Sequence, residues 1–488
     1  MAVETIDRPS PVTPLLPEWT RPLRPATFLV FASAAAVAVA FDLAMHSNPV
    51  GLAGAITIAL LACTVMATGE VVNRQSQVLA ALSVAFGAWL GVRDTQWLVP
   101  LNILAASCCL VASASLARGG SVFDLSVPRT FVRAVHAGVN GILGPGYLVR
   151  GRTTRLAPII RGLAIAVPLA IVLGVLLAAG DAVFAAAFEF DVSKYTQHAV
   201  LLLIGIWGAA GLARVAATPS ISEPTTAMPR LGRVEWSIVL IVLNVLYLGF
   251  VAARIVAATE GGTRVLETAG LTYARYARSG FFELLGAAAI TLAALVILRA
   301  VADISDPRSR VLFKILALTT LMFTMVVVVS AFQRLVLYER AFGLSMLRLY
   351  SMVFCVWLVV ALIALALWIG GIGGNRPWFW AVSAATALGL LLVLNVLNPE
   401  AFVVKHNVNA GTQAYDVEYA TELSEDAVPA LIDIARRKGD ADVREGVRSA
   451  ICFNEYEEVI GESEDTWAGF NLDREAARDA RASFCPAP

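Results

Sequence analysis

The 488-residue sequence has few charged residues. Asp, Glu, Lys and Arg make up 15% of the chain, whereas soluble proteins carry roughly 25%. Hydrophobic residues account for 58%, and the mean hydropathy is +0.73. The composition therefore excludes an ordinary soluble globule, a disordered protein and a nucleic-acid-binding protein with a broad basic face. It predicts a membrane protein that crosses the bilayer several times.

The sequence also lacks the common motifs of soluble enzymes. It contains no Walker A sequence, no H-E-x-x-H and no G-x-S-x-G. The four histidines, His46, His136, His198 and His406, do not lie at metal-ligand spacing from one another, and each is predicted to be an interface residue. We therefore predict no catalytic residue, no metal site and no cofactor.

Eleven apolar runs are each close to the roughly 20 residues that a membrane-spanning helix needs. A segment in lipid must satisfy its own backbone hydrogen bonds, so runs of this length are predicted to be helices. The fold class is therefore all-α: a polytopic transmembrane helical bundle over residues 26–398, preceded by a Pro-rich, disordered cytoplasmic leader at 1–25. The predicted spans lie near residues 26–46, 50–69, 77–93, 97–117, 158–180, 196–216, 234–258, 279–300, 311–332, 347–370 and 377–398.

Basic residues in the loops predict the orientation of the chain in the membrane. With the N-terminus in the cytoplasm, the inner segments hold 18 Lys and Arg residues and the outer loops hold nine. Eleven spans then place the C-terminal region on the extracytoplasmic side. Seven of the nine outer basic residues lie in two loops, 254–278 and 334–348. Either the number of spans is wrong in this region, or the arginines of these two loops have a specific role.

An amphipathic stretch lies in the inner loop near residues 129–143. Its apolar residues recur with the helical period on one face, and its polar residues do so on the other. This pattern predicts a helix that lies in the cytoplasmic interface against a bilayer with anionic headgroups. The polar face carries Arg129, Arg133, His136 and Asn140.

Residues 399–488 form a separate, acidic region, the tail. The tail holds 9 Lys and Arg residues against 19 Asp and Glu residues, a net charge of −10, while the rest of the chain is at +10. Helix start and stop signals predict a small domain of three short helices that begin near Ser424, Asp440 and Asn471. Its core is marginal. Outside the cytoplasm a Cys452–Cys485 disulfide is expected to stabilise it, whereas inside the two residues would be free thiols.

Polar residues at the ends of the last four spans give the strongest functional signal. Charges in lipid are costly, so such residues usually pair or line a cavity. One interpretation is an ion-pair network that locks the helix ends together. The other is a cationic pocket for an anionic ligand, because the planar guanidinium binds phosphate through two contacts. This predicted outer-lip cluster consists of Arg275, Arg278, Glu283, Arg334, Tyr338, Arg348, Asn395 and Asn398.

Several segments, in order, resemble a known family. They are the stretch Leu271–Glu283, the residues Ser330, Arg334, 337–339, 341–344 and 348–350, and the run 398–401 followed by Asn407, Asp416, Tyr419 and 423–429. Together they are similar to a bacterial multi-pass membrane protein family of unknown function, the domain of unknown function numbered four-one-seven-three, related to four-one-five-three. The resemblance covers roughly residues 150–475. It implies a bacterial inner-membrane protein with no established activity.

Three functional hypotheses follow from these observations. The first is a non-enzymatic envelope protein that binds or moves an anionic envelope molecule at the outer-lip cluster. The second is a membrane sensor or assembly scaffold whose C-terminal domain binds a protein partner. The third is a secondary transporter. A lipid-modifying enzyme is a weaker fourth, because no paired catalytic carboxylates stand outside the helix ends.

Overall fold

The computed structural model describes residues 22, 24–47, 50–68, 71, 73–149, 192–219, 230–258, 280–374, 376–409, 417–437, 441–452 and 466–485. These residues form helices and connecting turns, with no β-strand among them. The first group of helices is α1 (Phe28–His46), α2 (Leu52–Ala67), α3 (Arg74–Ala88), α4 (Leu98–Leu116), α5 (Val127–Ile142), α6 (Gly144–Val149) and α7 (Val192–Ala217). The second is α8 (Arg233–Ala258), α9 (Phe281–Val301), α10 (Pro307–Phe342), α11 (Met346–Gly370) and α12 (Phe379–Leu397). The tail contains α13 (Pro399–Asn409), α14 (Val417–Thr421), α15 (Val428–Arg437), α16 (Ala441–Cys452) and α17 (Leu472–Phe484).

Eight helices of the described chain are long and apolar enough to cross a membrane. They are α1, α4 and α7–α12, and each coincides with a predicted span. Many of their large apolar side chains are exposed at the surface of the bundle, as a lipid environment requires. The structure therefore confirms an all-α, multi-pass membrane protein.

The predicted count of eleven spans is not confirmed. Helices α2 and α3 have 16 and 15 residues, so at about 1.5 Å per residue both are shorter than a hydrocarbon core of roughly 30 Å. Asn73 caps α3 by accepting a hydrogen bond from the Gln75 N–H, and the helix starts with polar residues. A 3₁₀ turn at Trp89–Gly91 extends its apolar end. The predicted span at 158–180 and residues 1–21 of the leader lie outside the described residues.

The C-terminal ends of α1, α3, α10 and α12 meet the tail at one end of the bundle. The Leu52 N–H donates to the Phe470 carbonyl at 3.0 Å, the Asp473 N–H donates to the Val92 carbonyl at 3.2 Å, and the Leu344 N–H donates to the Asn407 side chain at 2.6 Å. We call this the tail-bearing end; it comprises residues 46–47, 50–52, 91–98, 342–346 and 397–399.

The opposite end carries the loops that the sequence predicts to be cytoplasmic. There the Asn73 amide donates to the Leu116 and Gly120 carbonyls, and the Lys314 ammonium donates to the Gly370 carbonyl. A helix from Val127 to Ile142 covers the predicted amphipathic stretch, and it packs against α7. The basic and the acidic parts of the described chain therefore lie at opposite ends of one bundle.

The bundle contains two groups of packed helices. Helices α8–α11 and the start of α12 share the largest hydrophobic core, which includes Trp236, Phe281, Phe313 and Leu358. Helices α1–α4 and α7 form smaller cores rich in alanine. Small side chains let helix axes approach closely in membranes, where burial in lipid provides little driving force for association.

A buried pair of asparagines joins the two groups. Each side-chain amide of Asn102 on α4 and Asn395 on α12 donates to the carbonyl oxygen of the other at 2.8 Å. Both residues are 0% exposed. Buried amides need partners because a lone polar group in an apolar environment is costly. The reciprocal pair therefore specifies how α4 and α12 face each other.

Replacing either asparagine alone with leucine is expected to leave the other amide unsatisfied. We expect Asn102→Leu or Asn395→Leu to lower the free energy of unfolding by about 0.5–2 kcal/mol. The double variant should recover part of this loss, because both polar groups are then removed. Equilibrium unfolding in micelles, analysed as a double-mutant cycle, measures the coupling; additive single effects would contradict a direct pair.

The tail contains two helices that the sequence analysis did not predict. The helices expected near Ser424, Asp440 and Asn471 correspond to α15, α16 and α17, and Asn471 caps α17. In addition, α13 and α14 connect the membrane part to them. Helices α13, α15 and α16 share one core, to which they contribute Val404, Leu431 and Val447, respectively. Cys452 and Cys485 are joined by a disulfide with a Cα–Cα distance of 5.5 Å, which ties the end of α16 to the end of α17.

Candidate functional site

The structure separates the predicted outer-lip cluster into distinct places. Arg275 and Arg278 lie outside the described residues. Arg348 stands over the Tyr338 ring, 4.0 Å from its centroid, and it donates to the carbonyls of Phe342 and Gly343. Because carbonyls at a helix C-terminus attract cations, Arg348 caps the end of α10. This contact accounts for one arginine in a loop that the sequence predicts to lie on the outer side.

Glu283 and Arg334 form no ion pair with each other in the part of the chain that the structure describes. Glu283 is exposed in the first turn of α9, and among the described residues it has no ion-pair partner. The Arg334 guanidinium lies against Gly280, where a Cβ would approach its Nη1 atom to 2.9 Å and where φ is +88°. Only glycine suits that position.

Asn395 and Asn398 belong instead to the junction between the bundle and the tail. Asn395 pairs with Asn102, as described above. Asn398 adopts a left-handed conformation with a φ of 51°. Its side chain donates to the Asp426 carbonyl at 3.2 Å and accepts from the Ala401 N–H at 3.1 Å. It therefore ends α12, starts α13 and contacts the tail.

Arg93 is the central cation of this junction. Its Nε donates to the Asn395 carbonyl at 2.7 Å, and its Nη1 lies 2.5 Å from Asp473 Oδ2 in the tail. A further contact reaches the Val396 carbonyl. The residue is only 9% exposed. One guanidinium thus joins the loop after α3, the last carbonyls of α12 and the first turn of α17.

Two buried carboxyl groups, of Asp426 and Glu400, and the partly buried carboxyl group of Asp94 lie near this contact. Asp426 accepts from the Asp94 N–H at 2.8 Å and from the Thr95 hydroxyl at 2.5 Å. Glu400 accepts from the Ser424 N–H at 2.8 Å and from the Ser424 hydroxyl at 2.6 Å. Asp94 forms an ion pair with Arg474 at 3.3 Å. Asp426 and Glu400 are 2% and 3% exposed. We call Asp94, Glu400 and Asp426 the junction carboxyls.

Burial raises the pKa of every junction carboxyl. It raises the pKa of Asp94 to about 6, although the neighbouring Arg474 opposes the shift. It raises the pKa of Glu400 to about 7 against the hydrogen bonds from Ser424. The pKa of Asp426 is also raised by burial, while the Thr95 hydrogen bond lowers it in part. Loss of water disfavours the charged form, and the neighbouring negative charges add to this effect.

A second set of hydrogen bonds holds the tail on the turn between α10 and α11. The Asn407 side chain accepts from the Leu344 N–H and donates to the Leu344 carbonyl at 2.8 Å. The Tyr419 hydroxyl accepts from the Met346 N–H at 2.8 Å. The last turn of α10 adds a contact of 2.8 Å between Glu339 and His406.

An apolar groove lies between α8, α10 and α11. It has a volume of about 660 Å³. Many of its lining side chains point outward, with Ile255 62% exposed and Met322 59% exposed. Polar groups occur only toward the tail-bearing end. They are Arg254, Ser330 and Gln333, and Arg254 contacts Gln333 Oε1 at 3.5 Å.

A comparison with known families matches most of this architecture. The model for the Domain of unknown function (DUF4153) matches residues 76–434. The chain belongs to this family. The match begins in α3 and ends in α15, so it includes α4, α7–α12 and the three junction carboxyls, but not α1, α2, α16 or α17. No curated protein and no solved structure matches the chain.

Several residues that carry the family resemblance lie at the tail junction. Asn398, Asn407, Tyr419 and Asp426 each form a hydrogen bond between the tail and the bundle or at the start of the tail. Sequence reasoning placed Glu400 and Asp426 inside family segments but gave neither a role. Arg93 and Asp94 stand at the end of the predicted span 77–93 and were given no role either. Their partners are more than 300 residues away, so no local pattern identified them.

Docking of the tail is expected to weaken as the pH rises. The folded protein holds the protons of the junction carboxyls more tightly than the unfolded chain does. The stabilisation is therefore complete below an ordinary carboxyl pKa of about 4, and it is lost as the pH rises through about 6 to 7. Melting temperatures of the full-length protein in micelles, measured across this range, test the slope.

Matched variants separate this effect from general titration. Glu400→Gln and Asp426→Asn should flatten the pH dependence, because each removes one buried ionisable group. Glu445→Gln, at an exposed position in α16, should leave it unchanged. An identical pH dependence in all three variants and the parent would exclude the junction carboxyls as its source.

Proposed function

We propose that this membrane protein binds an anionic amphiphile, with the apolar chain in the groove between α8, α10 and α11 and the anionic headgroup beside Arg254. The observation that carries the proposal is the position of Arg254, whose guanidinium lines a groove that is otherwise almost entirely apolar. Such a combination suits a ligand with one charged end and one hydrocarbon end.

The location of Arg254 supports a headgroup at the membrane surface. Arg254 lies one turn before the end of α8, and Gln333 lies beyond the predicted span on α10. The tail-bearing end of the bundle is therefore also the polar end of the groove. A guanidinium at this depth can bind a phosphate through two parallel hydrogen bonds.

The size and exposure of the groove support a lipid chain as the apolar part. Its volume of about 660 Å³ falls within the range of roughly 300–1,000 Å³ that is typical of small-molecule sites. The outward-facing side chains of Val329, Ile363 and Leu367 are 41–47% exposed. A ligand can therefore enter sideways from the bilayer without crossing the bundle.

Replacement of Arg254 is expected to remove the preference for an anionic headgroup. In nanodiscs that contain equal amounts of phosphatidylglycerol and phosphatidylcholine with the same acyl chains, Arg254→Gln should lower the bound ratio of the two lipids about tenfold, as for one charged hydrogen-bonded contact. Arg254→Lys should retain part of the preference, because it keeps the charge and loses the fork. Native mass spectrometry of released complexes measures the ratio.

Two further variants complete the test. Arg340→Gln removes an exposed arginine near the same end of α10, outside the groove, and should leave the ratio unchanged. Ala366→Phe fills the groove and should reduce binding of both lipids. If Arg254→Gln and Arg340→Gln behave alike, the headgroup assignment is wrong; if Ala366→Phe has no effect, the groove does not hold the chain.

We also propose a bacterial inner membrane as the location, with the N-terminus in the cytoplasm and the tail outside. The family resemblance supports the membrane. The two-to-one excess of basic residues in the inner segments supports the orientation. The Cys452–Cys485 disulfide suits an oxidising compartment.

A reporter fused after Pro488 tests the side of the tail. An enzyme that is active only outside the cytoplasm should give full activity, and one that is active only inside should give none. Labelling of intact cells with a thiol reagent should leave Cys452 and Cys485 unmodified until a reductant is added. The reverse pattern of reporter activity would place the tail in the cytoplasm.

A sensor function of the tail is the second candidate, and the junction carboxyls favour it. Their pKa values lie close to neutrality, so a modest change of external pH alters the charge between the tail and the bundle. Nothing among the described residues specifically favours the secondary transporter or a protein partner.

A further inference from the structure

Two histidines and an aspartate meet where α1 and α7 approach the tail-bearing end. Asp42 and His46 are four residues apart in the last turns of α1, so they share one helix face. Helix α7 runs antiparallel to α1 and brings His198 opposite them. The His198 Nδ1 atom lies 2.7 Å from Asp42 Oδ2 and 2.9 Å from Oδ1. The His46 Nδ1 atom lies 3.4 Å from Asp42 Oδ1 and 2.8 Å from the Asp42 carbonyl oxygen.

The two histidine rings are stacked on each other, which is not typical of a simple ion pair between a histidine and an aspartate. The imidazoles of His46 and His198 stack with centroids 4.0 Å apart and planes inclined by 22°. Two imidazolium ions at this distance would repel each other, and a single carboxylate offsets only one positive charge. A neutral imidazole has a nitrogen lone pair that is available to a metal ion.

The donor set is typical of transition-metal sites. Zinc in proteins binds imidazole nitrogens and carboxylate oxygens, and sites with three protein ligands leave a fourth position for water or another ligand. One potential ligand atom from each of the three residues lies within 4.8 Å of the others. Distances of about 2.0–2.2 Å to a zinc ion require ligand atoms roughly 3.3 Å apart.

Small rotations of the two histidine rings can bring the three ligand atoms from within 4.8 Å of one another to the roughly 3.3 Å that zinc requires. The side chains of His46 and His198 are 32% and 33% exposed, whereas that of Asp42 is 13% exposed. The histidines therefore have room to move, and the carboxylate is held between them. This placement allows a metal ion to replace a proton in the His198–Asp42 contact while the helices keep their positions.

We propose that Asp42, His46 and His198 form a binding site for a divalent transition-metal ion of the zinc type. The ion would tie the end of α1 to the start of α7. The neighbouring packing connects this point with the tail, because Ala44 and Ala53 contact Ala468. The Gly51 backbone also approaches the tail so closely that a Cβ there would lie 2.5 Å from the Gly469 carbonyl oxygen. The site is independent of the apolar groove, which lies between other helices.

Metal titration of the full-length protein tests the site directly. The protein in micelles is treated with a chelator, desalted and titrated with Co²⁺, whose visible absorption reports coordination by protein ligands. We expect one Co²⁺ ion per chain, displaced by an equal amount of Zn²⁺, and no displacement by Mg²⁺, which prefers oxygen ligands. His198→Gln and Asp42→Asn should each weaken binding at least about tenfold.

A matched histidine variant and a stability measurement make the outcome decisive. His406→Gln removes a histidine that contacts Glu339 on another part of the surface, and it should bind Co²⁺ as the parent does. Zn²⁺ should raise the melting temperature of the parent and of His406→Gln but not that of His46→Gln, whose partly exposed side chain can be replaced without loss of the fold. The proposal is overturned if the parent binds no more Co²⁺ than a variant that lacks all three side chains, or if the three single variants bind as tightly as the parent.

Discussion

The tail-bearing end depends on the buried guanidinium of Arg93. A cation removed from water is costly unless its hydrogen bonds are satisfied, and Arg93 meets this condition only when the last carbonyls of α12 and Asp473 of the tail are both in place. Three separate parts of the chain must therefore assemble around one side chain. This requirement also explains why an arginine stands in a loop that, by the predicted topology, lies on the outer side, where basic residues are otherwise few.

Two opposing effects act on the ionisation of the carboxyl groups near Arg93. Hydrogen bonds from Thr95 and Ser424 orient Asp426 and Glu400, but burial opposes their ionisation. The tail as a whole carries a net charge of −10, so additional negative charge at the junction has few cations to offset it. Docking is consequently specific in geometry and sensitive to protonation. The family match ends at residue 434, so it includes Asp94, Glu400 and Asp426 but not Asp473 of α17.

The apolar groove and the Asp42–His46–His198 group occupy different parts of the bundle. The groove belongs to α8, α10 and α11, and the histidine group belongs to α1 and α7. Both have their polar atoms near the tail-bearing end, where apolar helices give way to polar surroundings. The asparagine pair between α4 and α12 connects the two groups of helices. The polar groups of both sites therefore lie where water and other protein groups can form hydrogen bonds with them, which lipid chains cannot do.

The sequence by itself determined the all-α membrane class, the positions of most spans, the acidic tail and three of its helices, because hydrophobic length and capping residues are local properties. It also predicted a cluster of polar residues at one end of the bundle. It did not indicate which residues are in contact. Asn395 pairs with Asn102, Arg348 caps a helix, and the rings of His46 and His198 stack between two antiparallel helices. The Arg348 contact is local, with carbonyls five and six residues earlier in the chain. Only the tertiary structure decided the pairings of Asn395 and His46, because contacts between distant parts of the chain depend on helix packing, which leaves no periodic pattern in the sequence.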